Sequence, residues 1–593
     1  MPFIDATTTE WGCSLPPQGP HTITTHAPGY KTAMGLRDGD MSIITRIKSI
    51  YPRFSPFGLA AQFLGAVGQQ LALPEGYMCT AYLSPETWRA ELHHGTSEHR
   101  KESRITRDDL KFRVVEIGGV RLYLVVFHAM KRRGSLFVWQ HRGLGFSSRV
   151  AQALLPRIED SFTDLGEFAG PDAPGIPEPT YLPVGESHQL LKERVAEYMN
   201  RATIQDYDHP VDASDVTLYQ TGMAAIVRFH EAATKVRPGT VVVFGSIFHS
   251  TWHFLEENEH GFKHWGPSSD ADLAEFEAYL EAGGSCSYVF TEFPSNPILT
   301  SLNLARLRQL ADKYGFYIVV DDTLAGFANM DLLPVADVVW TSLTKAFSGY
   351  ADVMGGSLSL NPNINNNNSY TALKAAIDEQ FHNELFVPDA DTLLSNSDDY
   401  LARCVKINRN ANALAAFLHQ VSQDPAYPVR RVLYPPYTAG FEHAKSFLRR
   451  PTADFPEPGF GPLLSVELET MDQMVAFYDN LTFHQGPHLG AHLTLCVPFN
   501  ALVFGKDPDE AAYHAAYGSR QEQVRISVGF TEEAEDIIGA VQKALDTMVE
   551  VAGRGRRDEA GEKAVDEGRV LADEIEREVA EDGDVKTDIN LMS

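Results

Sequence analysis

This chain of 593 residues is poor in cysteine, short of positive charge, and free of any long apolar run. Its five cysteines, Cys13, Cys79, Cys286, Cys404 and Cys496, are odd in number and far apart. That excludes a disulfide framework and a zinc site built on paired cysteines, and no metal is expected. Lysine and arginine total 50 against 79 acidic residues, a formal charge of −29. Such a balance argues against nucleic acid or an anionic membrane as partner. No run of about 18 apolar residues occurs, so no membrane span is expected. The first residues carry an early acid and no arginine, unlike a signal or transit peptide, and a cytoplasmic location is the expectation. What the chain does have is 44% hydrophobic residues, enough for large cores, and a length that suggests several domains.

Four parts are expected. Residues 1–170 form an N-terminal α+β region. In it, Lys111–Ile117 and Val120–Phe127 flank Gly118-Gly119, which reads as a hairpin. The turn-rich stretch Gly170–Pro179 then serves as a linker. Residues 180–400 alternate β-branched runs with helical stretches, the pattern of a mostly parallel sheet covered on both faces. Here Gly315 reads as the C-cap of a charged helix, and Asn361–Asn368 reads as a solvated loop. Residues 404–550 look like a smaller α+β domain. Residues 551–593 form a charged tail in which disorder outweighs one weak amphipathic helix.

The chemistry concentrates where strands of the second part end. Asp337–Gly356 contains an apolar strand (Val338, Val339, Trp340) that delivers Ser342, Thr344 and Lys345 to its carboxyl end. Ligands of open α/β sheets sit at that edge. One lysine beside two hydroxyls suits a cofactor with an aldehyde and a phosphate: the amine forms a Schiff base and the hydroxyls hold phosphate oxygens. Asp321 ends the preceding strand and could pair with a protonated ring nitrogen. By itself it would read as an ordinary strand-end aspartate; Lys345, 24 residues later (345−321), lifts it. Gly222-Met223 open a helix after a strand, where backbone N–H groups favour phosphate. Asn296, in Glu292-Phe-Pro-Ser-Asn-Pro297, could donate to a ring oxygen, although two prolines also make a rigid turn. Phe248 could stack on a flat ring, or simply be core. Arg525 stands on the apolar strand Val524–Gly529 and needs an anion, either a structural carboxylate or a substrate's.

Taken together, Gly-Met-Ala-Ala, Pro-Ser-Asn-Pro, Val-Val-Asp-x-Thr, Thr-Ser-x-Thr-Lys and Val-Arg-Ile-Ser-Val-Gly resemble the Cys/Met-metabolism family of pyridoxal-phosphate enzymes, over about residues 180–550. That family has the aspartate-aminotransferase-type (fold type I) α/β fold. It includes cystathionine γ-synthases, cystathionine lyases, methionine γ-lyase and O-acetylhomoserine sulfhydrylases. The N-terminal region, with Tyr51-Pro-Arg-Phe54, is similar to the extension of fungal cystathionine γ-synthase-like proteins. The resemblance implies pyridoxal 5'-phosphate as cofactor, Lys345 as Schiff-base lysine, Asp321 as pyridinium partner and Asn296 as donor to the ring oxygen. It places phosphate contacts on Gly222, Met223, Ser342 and Thr344, the substrate-carboxylate arginine at Arg525, and Thr494 in place of a serine near the lysine. Phe248 stands where the family stacks a tyrosine, and Tyr350 replaces a histidine. The segment that carries tyrosine and arginine to a neighbouring subunit corresponds here to Tyr181–Ser187, which has no arginine. The implied activity is γ-replacement on an activated homoserine ester, with cysteine giving cystathionine. Sulfide as the thiol, elimination, and a non-catalytic regulatory relative are the alternatives. A homodimer or homotetramer is implied.

Overall fold

In the computed structural model, residues 8–363 and 367–550 are described. The expected tail, 551–593, lies outside them. Three sheets account for the strands among the described residues. The first is antiparallel and N-terminal: β1 (Tyr77–Tyr82), β2 (Lys111–Ile117), β3 (Val120–His128) and β4 (Thr163–Phe168), in the order β1-β3-β2-β4. The expected hairpin is β2–β3. Its register closes at Ile117 opposite Val120, so Gly118 and Gly119 form a two-residue turn. Both have positive φ, 59° and 81°, the conformation that such turns require and glycine tolerates.

The central sheet holds β5 (Val216–Tyr219), β6 (Val241–Phe244), β7 (Phe262–Trp265), β8 (Tyr288–Glu292), β9 (Tyr317–Asp321), β10 (Val338–Thr341) and β11 (Gly356–Leu360). Their order is β5-β11-β10-β9-β8-β6-β7, with only β11 running against the rest. Strand side chains alternate between faces. Val242, Phe244, Ile318 and Val320 therefore enter one core, and Val241, Val243, Tyr317 and Val319 another. Burial on both faces explains why these strands read as unbroken apolar runs. Cutting one such side chain back to alanine would cost about 2–5 kcal/mol.

The two cores also show how the parts join. The core on one face of the sheet continues into the last part through Val466, Val524 and Ile526. The core on the other continues into the N-terminal region through Phe63, Phe112 and Tyr123. The N-terminal region thus packs directly on the helix and sheet that carry the candidate site. The third sheet contains β12 (Val429–Leu433), β13 (Leu463–Leu468), β14 (His484–Gln485), β15 (Leu495–Val497) and β16 (Gln523–Ser527), in the order β12-β13-β16-β15-β14.

Local signals mostly act as the sequence suggests. Helix Gly222–Val236 starts at Thr221, whose hydroxyl accepts from the Ala224 amide. Helix Leu304–Tyr314 stops at Gly315 in the left-handed conformation. One expectation is corrected. Asn361 is buried, and its amide donates to the carbonyls of Leu333 and Ala336. A helix already begins at Asn367, so only part of the asparagine run connects elements. The helix Tyr400–Val421 begins at the expected boundary near 400–404. Among the described residues no helix is long and apolar enough to cross a membrane.

Candidate active site

The carboxyl ends of β5, β6, β8, β9 and β10 face one cavity of about 1300 Å³. Gly222, Met223, Phe248, Asn296, Asp321, Ser342, Lys345 and Arg525 all line it. They come from elements spread over more than 300 residues (525−222): the parallel strands of the central sheet end on one edge and bring all but Arg525 there, and Arg525 reaches it from β16 of the third sheet.

Lys345 follows β10. Burial pushes its amine down to about 7, and the nearby Arg53 and Arg525 guanidinium groups push the same way. An amine of this kind is partly uncharged at neutral pH and so is a competent nucleophile. Its Nζ lies 3.5 Å from His488 Nδ1 and 4.8 Å from the centre of the Tyr51 ring.

Asp321 and Glu292 are register partners on β9 and β8. Burial first, then Glu292, holds the Asp321 carboxyl well above the usual range. Its Oδ1 accepts from the Thr323 amide at 2.8 Å, and among the described residues no cation pairs with it. Burial raises Glu292 to about 8, although it accepts the amides of Phe248 (2.6 Å) and Asn296 (3.0 Å). The adjacent Asp322 is turned away and accepts from the Thr341 hydroxyl.

Arg525, on β16, is 2% exposed. It donates to Asn296 Oδ1 at 3.2 Å and to the Pro487 carbonyl at 2.6 Å, over the Phe499 ring. Burial brings it down to about 9. No carboxylate pairs with it among the described residues, so the structural salt bridge is not what holds it there.

Two expected contacts point elsewhere. Thr344 is fully buried and exchanges hydrogen bonds with the backbone of Gly355. Thr494 accepts from the Gly529 amide, while its own amide donates to Glu532. Neither lines the cavity. Both hydroxyls satisfy backbone groups that would otherwise be buried without partners. Tyr181 stacks on His382, with ring centres 4.1 Å apart, and no residue of 181–187 reaches the cavity.

Sequence reasoning missed Arg53, Tyr51, His488 and Glu292 as cavity residues. Arg53 is 3% exposed, with its guanidinium 5.0 Å from the Phe248 ring. It donates to Ser250 Oγ at 3.2 Å and to the Gln140 carbonyl. Its place beside the start of helix Gly222–Val236 is fixed by Gly143. A Cβ there would lie 2.4 Å from Thr221 Oγ1, 3.0 Å from Met223 Cβ and 3.3 Å from Arg53 Cδ. The signal was present in Tyr51-Pro-Arg-Phe54: an arginine among aromatic residues asks for an anion, as Arg525 does on its strand.

Three features fit a phosphorylated, ring-nitrogen cofactor. Asp321 is a buried carboxylate without a cation. Arg53 is a buried cation without a carboxylate, beside a helix N-terminus that favours anions. Gly222 leaves space that a Cβ would fill, 3.0 Å from Ser342 Oγ. A low-pKa lysine that lines one cavity with that acid and that buried arginine, at the ligand edge of an α/β sheet, is the arrangement that a pyridoxal-phosphate enzyme needs.

The model of the "Cys/Met metabolism PLP-dependent enzyme" family matches residues 207–546, and the chain belongs to that family. Its cofactor is accordingly pyridoxal 5'-phosphate. Over 580 residues it is 31% identical to cystathionine gamma-synthase-like protein ankD of Aspergillus thermomutatus, covering 92% of this chain and 95% of that one. It is 34% identical to alanine racemase ungC of Aspergillus violaceofuscus, over 74% of this chain and 75% of that one. It is 38% identical to cystathionine gamma-synthase of Neurospora crassa, over 56% and 52%. These names span replacement and racemisation, so family membership alone does not select the reaction.

Proposed function

We propose that the enzyme carries out γ-replacement on an activated homoserine ester, with the thiol of cysteine as the incoming group and cystathionine as product. Bound pyridoxal phosphate supplies the electron sink for a carbanion next to the substrate nitrogen. The chain's own groups do the rest. Arg525 holds the α-carboxylate of the amino-acid substrate by charge-assisted hydrogen bonds. The Lys345 amine moves protons at Cα and Cβ, and an amine near 7 is matched to giving and taking them. Asp321 keeps the proton on the ring nitrogen. Asn296 donates to the ring oxygen, and Phe248 stacks on the ring. Arg53, Gly222, Met223 and Ser342 hold the phosphate. In this reading Arg53 supplies, from the N-terminal region of the same chain, the arginine that Tyr181–Ser187 lacks.

The observation that carries the reading is the size and lining of the cavity. The cavity, about 1300 Å³, runs on from the cofactor residues toward His99, Lys101 and Asp507, which leaves an approach for a second amino acid. The similarity to proteins named cystathionine gamma-synthase supports the same choice. Product analysis tests it, with acetyl-, succinyl- and phosphohomoserine each offered with cysteine or with sulfide. Cystathionine formed with cysteine supports the proposal. Homocysteine from sulfide alone would move it to a sulfhydrylase. No product from any ester, together with racemisation of alanine, would reject γ-replacement. A homodimer or larger homo-oligomer belongs to the same proposal, and a fully active monomer in light scattering would remove that part.

A further inference from the structure

We propose that His249, His253 and Glu510 form a binding site for a divalent transition-metal ion of the zinc class, on the wall of the same cavity. His249 and His253 lie four residues apart on helix His249–Leu255, so their imidazoles leave one face. Helix Pro508–Ala516 brings Glu510 against them from the last part of the chain. His249 Nε2 is 2.9 Å from His253 Nε2 and 3.2 Å from Glu510 Oε1. Ligands around a tetrahedral zinc ion, with bonds of ~2.0–2.1 Å, stand roughly 3.3 Å apart. The two distances from His249 Nε2 are close to that spacing, and all three donor atoms lie within 4.8 Å of one another.

The hydrogen bonds around the cluster turn its donor atoms toward one another. Glu256 accepts from Trp252 Nε1 at 3.1 Å and from His253 Nδ1 at 2.8 Å. With Nδ1 engaged by Glu256, His253 turns its Nε2 toward His249 Nε2, which also faces the Glu510 carboxylate. His514 Nε2, at 3.9 Å from Glu510 Oε1, is beyond hydrogen-bonding reach. A divalent ion satisfies all three electron pairs together. Glu256 then has the place of the outer carboxylate that orients a metal-binding histidine.

A second observation is independent of these distances. His141 is 6% exposed, and its Nδ1 has no partner among the described residues. Its ring centre is 5.4 Å from that of His253 and 6.3 Å from that of His249. Two imidazoles and a carboxylate are a donor set suited to zinc, and the unpartnered His141 ring stands beside them on the same wall. The cysteine count gave no hint of it, since no thiolate takes part. None of these four residues has a role in the proposed reaction. The ion would tie the segment that follows Phe248 to the last part of the chain and leave a coordination position open to the cavity.

The test uses tag-free holoenzyme, stripped with a chelator and titrated with Zn²⁺ and with Co²⁺. One ion per chain is expected, with the visible absorption of cobalt in a low-symmetry nitrogen and oxygen site. His253→Ala and Glu510→Ala should each weaken binding at least about 100-fold, with cofactor content and circular dichroism unchanged. Glu256→Gln should weaken it about 10- to 100-fold. His249→Gln, which keeps volume and polarity, answers the question if the alanine variants do not fold. The proposal is overturned if wild-type protein takes up no stoichiometric metal, or if uptake is undiminished in the histidine and glutamate variants.

Discussion

Replacing Arg53 by alanine should release the cofactor without disturbing the amino-acid site. Arg53 is buried, has no carboxylate partner among the described residues, and stands beside the amino end of helix Gly222–Val236. Its remaining contacts are a carbonyl, a hydroxyl and two aromatic rings. A hydrogen bond to a charged group contributes about 1.5–3 kcal/mol. The alanine apoenzyme also lacks the strain of a buried unpaired cation, which phosphate binding relieves in wild type, so the loss falls in the upper part of that range. A net loss of about 2–3 kcal/mol corresponds to pyridoxal phosphate binding about 30- to 150-fold weaker. Arg53 also helps to hold the Lys345 amine down, second to burial itself. The lysine in Arg53→Ala should therefore titrate at higher pH than in wild type. Absorbance titration of apoenzyme with pyridoxal phosphate, repeated across pH, reads both effects. Cofactor affinity within threefold of wild type, with a raised KM for the amino-acid substrate instead, would refute the assignment of Arg53 to the phosphate.

Other consequences follow from the same geometry. Asp321→Asn should lower turnover by two orders of magnitude or more, about 2.7 kcal/mol of barrier; a loss under tenfold in steady-state kinetics would show that Asp321 is not the ring-nitrogen partner. Arg525→Ala should raise the KM for the amino-acid substrate far more than it weakens the cofactor, and the reverse pattern in paired titrations would count against it. Because the Lys345 amine is lowered to about 7 and reacts only when uncharged, cofactor capture by apoenzyme should accelerate as pH rises toward 7 and level off above it. Stopped-flow rates that keep rising up to pH 10 would mean that the amine is not depressed.

Much of the site was legible because its residues lie at strand ends. The apolar runs of β8, β9 and β10 are buried on both faces, and each polar residue that closes one is held at the sheet's edge. Glu292, Asp321, Ser342 and Lys345 all follow that rule, although Glu292 was read only as part of its motif. Arg525 was legible as a charge on an apolar strand. Thr344 was not, because a hydroxyl's partner depends on which backbone group lies across from it, here Gly355. The same holds for Thr494 and Gly529. Arg53 was hidden for a different reason. It lies on a non-helical segment 163 residues before β5 (216−53), and its landing place depends on the whole N-terminal region docking on the central sheet. No local period encodes that docking; only the unexplained charge in Tyr51-Pro-Arg-Phe54 marked it.

The most direct test of the account asks which side chain carries the cofactor. Holoenzyme should show a visible absorption band that borohydride removes, and mass analysis of the reduced, digested protein should place one cofactor adduct on the peptide containing Lys345. Lys345→Ala should fold, show no such band and have no turnover. An adduct on another lysine, or a Lys345→Ala enzyme that keeps near wild-type activity, would contradict the assignment on which the rest of the site is built.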